Sequence, residues 1–250
     1  MQLKFPRVIL PLLAIVLLAG VARAGELPRN LRYSFYVNGE PAGHAEVKIT
    51  RTPTSLVFES DTRVLTGVAV IALESKTVVD PGTYAVSEFS CKGTKGDHTV
   101  SCEARVHADS AFGYYEMDGD IRDKHLKMRH PKTLLFEDWL MEHEILFALT
   151  QARSEQRTTT YNLLFPTSLA PAEVTLGYSG EVLEEAGPRS MTARKLIVII
   201  AGAEPFESHV NPKNGIPVYM RFPTSHTEAF LDEIFGENPT TYYTTKDKGQ

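Results

Sequence analysis

The chain has 250 residues, 42% of them hydrophobic and 23% charged, with a formal net charge of −5 at pH 7. Those fractions are ordinary for a globular protein and exclude wholesale disorder, collagen-like repeats and a disulfide-dense miniprotein. The acidic balance argues against a general nucleic-acid binder, because displacing counterions from phosphate takes cationic charge.

Lys4 and Arg7 open the chain, Val8 to Gly20 is an apolar run interrupted only by Pro11, and Ala22-Arg23-Ala24 precedes Gly25. A basic start, an apolar core and small residues in that order predict a secretory signal peptide over residues 1–24, cleaved after Ala24, and a periplasmic address. The run is shorter than the roughly 20 residues of a membrane span. No Cys follows it, so a lipoprotein is not expected. Cleavage removes Lys4, Arg7 and Arg23 but no acid, leaving a more acidic mature chain without a transmembrane anchor.

Strand patterns follow. Tyr33, Phe35 and Val37 alternate with Arg32, Ser34 and Tyr36, and Asn38-Gly39 is a hairpin turn. His44 to Thr50 alternates again, then Ser55 to Val64. Val68 to Val79 reads as a long strand, apolar on both faces at first, ended by Asp80-Pro81-Gly82. Tyr84 to Cys91 and His98 to His107 read as a hairpin with Gly93, Gly96 and Asp97 in its turn. Cys91 and Cys102 are the only cysteines, and in an exported chain they predict a disulfide across that hairpin. A bridge over so short a loop stabilises by about 3 kcal/mol on the chain-entropy model. Tyr114 to Met117 and Ile121 to Met128 flank the turn Asp118-Gly119-Asp120.

The period then changes. Phe136, Trp139, Leu140, His143, Leu146 and Phe147 recur at three and four residues and predict a helix over Thr133 to Gln151. Strands resume at Thr159 to Phe165, Ala172 to Leu183, Thr192 to Ala201, Phe206 to Val210 and Pro217 to Phe222. Asn211 to Gly215 turns between the last two. Ser225 to Phe235 reads as a short amphipathic helix, and 238–250 as a flexible polar tail. The expected fold is mainly β. It is a single curved antiparallel meander or half-barrel over residues 25–237, with one crossing α-helix as lid or plug and a short C-terminal helix.

Two blocks carry a family resemblance. Leu31 to Ala45 is an aromatic-rich strand, a turn and Ala42-Gly43 opening the next strand; Val210-Asn211-Pro212 leads through Gly215-Ile216-Pro217-Val218 to Tyr219 and Phe222. Both resemble the bacterial envelope family known as domain of unknown function 3108. That resemblance implies an exported, β-rich protein and carries over no catalytic residue. The layout is also loosely similar to the half-barrels that carry lipoproteins across the periplasm.

Candidate chemistry is sparse. His143 sits between Glu142 and Glu144 on the helical face of Trp139 and Phe147, and reads as a metal ligand or, more simply, as a core-edge histidine with one partner. No His-Glu-x-x-His occurs. Asp118, Asp120 and Asp123 do not meet the calcium-loop pattern. Gly177-Tyr178-Ser179-Gly180 lacks nucleophile-elbow spacing. The acid pairs Glu184-Glu185 and Asp232-Glu233 read as exposed. No metal or cofactor is expected. Apolar surface remains: Val68 to Leu73 and Leu196 to Ile200 are apolar at successive positions, which burial under the helix or an apolar ligand groove would explain. The groove residues expected are Val68, Val70, Phe136, Trp139 and Phe147. The reading is a non-enzymatic binding or carrier protein for an apolar ligand such as a lipid or acyl group. The alternatives are an interaction module docking an envelope protein by a sheet edge and, with least support, a hydrolase.

Overall fold

The computed structural model describes residues 27–107, 109–128, 132–186 and 189–236. The expected signal peptide and polar tail lie outside them. In chain order come β1 (Asn30–Val37), β2 (Glu40–Arg51), β3 (Leu56–Leu65), β4 (Val70–Val79), β5 (Val86–Lys95), β6 (His98–His107), β7 (Ser110–Met117) and β8 (Asp120–Lys127). Then follow β9 (Thr133–Leu135), α1 (Met141–Ala152), β10 (Thr158–Phe165), β11 (Ala170–Ala186) and β12 (Arg189–Ile200). β13 (Phe206–Val210), β14 (Pro217–Phe222), β15 (Thr227–Leu231) and the single turn α2 (Asp232–Phe235) complete the described chain.

All of these strands form one sheet, in the order β8 to β1, then β15 down to β9. Two meanders therefore meet where the first strand pairs with the last, Tyr33 opposite Leu231 and Phe35 opposite Ala229. Every pairing is antiparallel except β9 with β10, which are parallel and need a crossover. Helix α1 is that crossover. It packs on β2, β3, β9, β11 and β14, so it fills the concave side as a plug between the two halves.

The mainly β, curved, single-sheet fold expected from alternation is what forms. The turns at Asn38-Gly39 and Asp118-Gly119 are hairpin turns with positive φ at both residues. On β1 to β6 the inner face reads Leu31, Val47, Ser60, Ser75, Cys91, Cys102 along one cross-strand row. Four small residues in succession leave room for the helix, and Ser75 Oγ donates to Glu142 of α1.

Several expectations are corrected. The helix begins at Met141, eight residues late, because Thr133 to Leu135 is a buried strand on the edge of β10. A short apolar run carries no period by which strand and helix differ. Of Ser225 to Phe235 only Asp232–Phe235 is helical; Thr227–Leu231 is β15, a central strand between β1 and β14, and burial of both its faces erased the alternation that marks a strand. Gly93 is not in a turn. It lies within β5, where a Cβ would fall 2.0 Å from the carbonyl oxygen of Ala72, so the strands approach too closely for any other residue. The turn is Gly96-Asp97 alone. Cys91 and Cys102 are directly opposed across β5 and β6, both buried, but are free thiols and not the expected disulfide.

The two ends of the sheet are joined by side chains. Leu169, in the β10–β11 turn, lies on Gly113 of β7, where a Cβ would come within 2.3 Å of Leu169 Cδ2. Lys95 of β5 pairs with Glu137 before α1, and Glu137 also accepts from Thr167 N at 3.3 Å and Thr167 Oγ1 at 2.5 Å. Arg153 donates to the carbonyl of Pro81 at 3.2 Å and stands over the Tyr84 ring at 4.2 Å.

Candidate functional site

The chain between β9 and α1 cannot be helical, and the way it turns makes a cavity. Trp139 has φ 75, a left-handed conformation that strains a bulky residue. Two contacts hold it there. Thr62 Oγ1 donates to the Trp139 carbonyl at 3.0 Å, and the indole meets Phe35 edge to face with ring centroids 5.8 Å apart. Behind this bend lies a cavity of about 270 Å³, walled by Phe35, Phe136, Trp139, Met141, Phe206 and Phe222. Phe136 stacks on Phe206 at 5.9 Å, and Phe206 packs on Phe222 at 5.0 Å. The β12–β13 and β14–β15 turns supply its mouth, where Thr224 Oγ1 donates to Glu204 at 2.8 Å.

The ionisable groups of this cavity are acids: Glu137, Asp138, Glu144 and Glu204 line it, beside the hydroxyl residues Thr224, Ser225 and Thr227, and no Lys, Arg or His does. Glu144 is 3% exposed, and neither carboxyl oxygen has a hydrogen-bond partner among the described residues. Burial, and then the nearby charge of Asp138, pushes its carboxyl well above the usual range. Burial also raises Asp138, as does Glu137, against the opposing charge of Lys95. Lys95 is already paired with Glu137, which more than offsets its own burial and raises its pKa.

Of the five expected groove residues, two line this cavity, Phe136 and Trp139. Phe147 lies behind them, wholly buried and stacked on Phe136 at 6.0 Å, in a core layer with Leu163, Leu196 and Val198. Val68 is in the β3–β4 turn and 96% exposed; Val70 is 55% exposed. Neither lines the cavity, because the strand starts two residues later than its apolar run. Outward-facing Ile199 is likewise exposed, so the apolar faces inferred to be doubly buried are not. The residues missed are Phe35, Glu144, Phe206 and Phe222. Alternation placed Phe35 on the inner face, but nothing local signalled that these distant segments converge.

The other candidates resolve simply. His143 is buried, accepts the Glu137 N–H at Nδ1 (3.0 Å) and packs on Phe89, and burial lowers its pKa to about 3. It is a neutral core histidine. Asp118 closes its turn by accepting from Thr99 N at 2.8 Å and pairing with His98 at 2.6 Å. No cluster with metal-ligand geometry occurs among the described residues. Glu184 is not exposed: it is buried and paired with His209, whose Nε2 lies 3.7 Å from Glu207. Asp232 is mostly covered, accepting from Ser34 Oγ at 2.7 Å, whereas Glu233 is exposed. A larger hollow, about 1130 Å³, crosses the outer face of β1 to β6. Its borders are rows of charges already paired, Arg32 with Glu46, Lys48 with Glu59 and Lys92 with Glu74, which marks a solvated face. The open edge at β8 carries charges on both faces, the composition that resists strand addition.

No family model and no curated protein matches the chain. Among solved structures, it is similar to a β-barrel-like protein of domain of unknown function 1849 from Brucella abortus. The TM-score is 0.51 at 8% identity, covering 81% of this chain and 93% of that one. At that identity the likeness shows a shared fold. No helix among the described residues is long and apolar enough to cross a membrane.

Proposed function

We propose that the protein is an exported, periplasmic binding or carrier protein for a small apolar molecule, acting in envelope maintenance and doing no chemistry on its ligand. The observation that supports this is the Phe35–Trp139 cavity, a concave, aromatic-walled space with few polar groups, which is the usual make-up of a ligand site. Burying an apolar group there contributes about 25 cal/mol per Å² removed from water. The resemblance of the Leu31–Ala45 and Val210–Phe222 blocks to domain of unknown function 3108 supports the same address.

The test is to express the chain with its own first 24 residues, purify it from the periplasm and record denaturing and native mass spectra. The denatured mass is expected to correspond to cleavage after Ala24. A native adduct that leaves on denaturation is expected for the carrier. Trp139 is the chain's sole tryptophan and lines the cavity, so its fluorescence reports occupancy directly. A clean apo mass together with an unresponsive Trp139 overturns the reading.

A further inference from the structure

We propose that residues 138–144 are a gate: they swing away from the sheet as a unit, while Glu137 and the second half of α1 stay in place, and so open one wall of the cavity. Asp138, Trp139, Leu140, Met141 and Glu144 of that segment line the cavity, so its movement changes the space behind the bend. Both ends of the segment are pinned. Glu137 pairs with Lys95 and accepts from Thr167 Oγ1 at 2.5 Å and Thr167 N at 3.3 Å. At the other end Ile145, Leu146, Phe147, Ala148 and Leu149 are buried in the core.

Between the pins the closed state is costly. Trp139 is held at φ 75, where a bulky side chain is strained. The N-cap, Leu140, makes no side-chain bond to the first turn of α1. His143 accepts at Nδ1, so its proton is on Nε2, which is buried without a partner among the described residues. Both Glu144 carboxyl oxygens are buried in the same state. Each such atom costs free energy until it meets a partner, and opening brings all three to water. Little holds the segment shut. Thr62 Oγ1 donates to the Trp139 carbonyl at 3.0 Å, the Phe35 ring meets the indole at 5.8 Å, Ser75 donates to Glu142, and Leu140 and Met141 are buried. A short stretch with few buried apolar contacts opens locally before the whole fold does.

The experiment is native-state hydrogen exchange of the full mature protein, read residue by residue by NMR and corrected for each amide's intrinsic rate. Amides 143–145 are expected to exchange at least about ten-fold faster than amides 149–151 and those of β3 and β4. Thr62→Val keeps the shape of the side chain but removes the hydroxyl that holds Trp139, and it lies 77 residues from that carbonyl in sequence. It is expected to speed exchange at 143–145 by about three- to ten-fold. Phe35→Leu removes the other contact on Trp139, is expected to act in the same direction, and serves as the second variant should Thr62→Val fold poorly. Equal exchange at 143–145 and 149–151 in the parent shows that the segment opens only with the whole fold and overturns the gate. Fast exchange at 143–145 that ignores both substitutions shows a frayed helix end beneath a closed Trp139 bend, and overturns it as well. The opening needs no ligand, so the gate and the binding reading above fail separately.

Discussion

Phe35 and Trp139 meet edge to face at 5.8 Å, one from the strand at the seam of the sheet and the other from the bend that leads into its plug. The contact joins the two meanders at the wall of the cavity. It also holds Trp139 in a backbone conformation that a side chain disfavours.

That strain is measurable. Trp139→Ala and Trp139→Gly both delete the ring, but at φ 75 only glycine is free of the Cβ penalty, about 1 kcal/mol. The glycine variant is expected to be the more stable of the two by that amount in urea unfolding followed by circular dichroism. Equal stability, or a more stable alanine variant, shows that the bend is not strained.

Glu142 couples stability to pH. It is fully buried beneath the serine row, and burial raises its pKa to about 7, with the bonds from Ser75 and Ser60 opposing. Because the folded state holds this proton more tightly than the unfolded chain, its contribution is intact below the ordinary carboxyl pKa of 4.5 and is lost as pH rises through 7. At pH 8 the folded state therefore carries a penalty of up to about 3 kcal/mol. Glu142→Gln keeps an acceptor for Ser75 and cannot ionise. It is expected to exceed the parent in stability at pH 8 by about 2–3 kcal/mol and to match it near pH 4.5. His143 runs the other way: held neutral with a pKa of about 3, it removes stability as pH falls below 6.5. A parent and Glu142→Gln pair that respond identically to pH overturns the assignment.

These two helix residues show what the sequence could and could not say. Alternation along Tyr33-Phe35, Ala45-Val47-Ile49 and Leu56-Phe58 marked strands with one wet face, and the Asn38-Gly39 and Asp118-Gly119 turns marked their ends. The sheet was legible because its order is mostly the order of the chain. Where a strand is buried on both faces the period-two signal disappears, and Thr133–Leu135 and Thr227–Leu231 then look helical. Phe136 and Trp139 were legible as cavity residues by their size and spacing. Glu144 was not, because an acid three residues into an amphipathic helix usually faces water. Only the plug position, set by contacts across the whole sheet, turns it inward.

Reduced Cys102 is expected to resist alkylation. A hydrogen bond with Cys91, and then burial, pushes its thiol far above the ordinary range, so almost no thiolate is present at neutral pH. In the reduced native protein both thiols should be labelled by iodoacetamide at least ten-fold slower than in urea. Fast labelling of the native dithiol shows that the pair is exposed by opening of β5 and β6.

Leu169 and Gly113 test whether side chains hold the sheet's ends together. Leu169 is buried against a strand that is not its hydrogen-bonded neighbour, and the missing Cβ of Gly113 is what admits it. Gly113→Val crowds the contact and is expected to destabilise by about 1–3 kcal/mol. Leu169→Ala leaves a hole and is expected to remove about 2–3 kcal/mol. In the double variant the valine occupies the space that the leucine gives up. Its loss should therefore fall short of the sum of the single losses by about 1 kcal/mol or more in urea denaturation. Strict additivity shows that the two residues do not meet in solution, and that the curved sheet stays open along the edge between β7 and the β10–β11 turn.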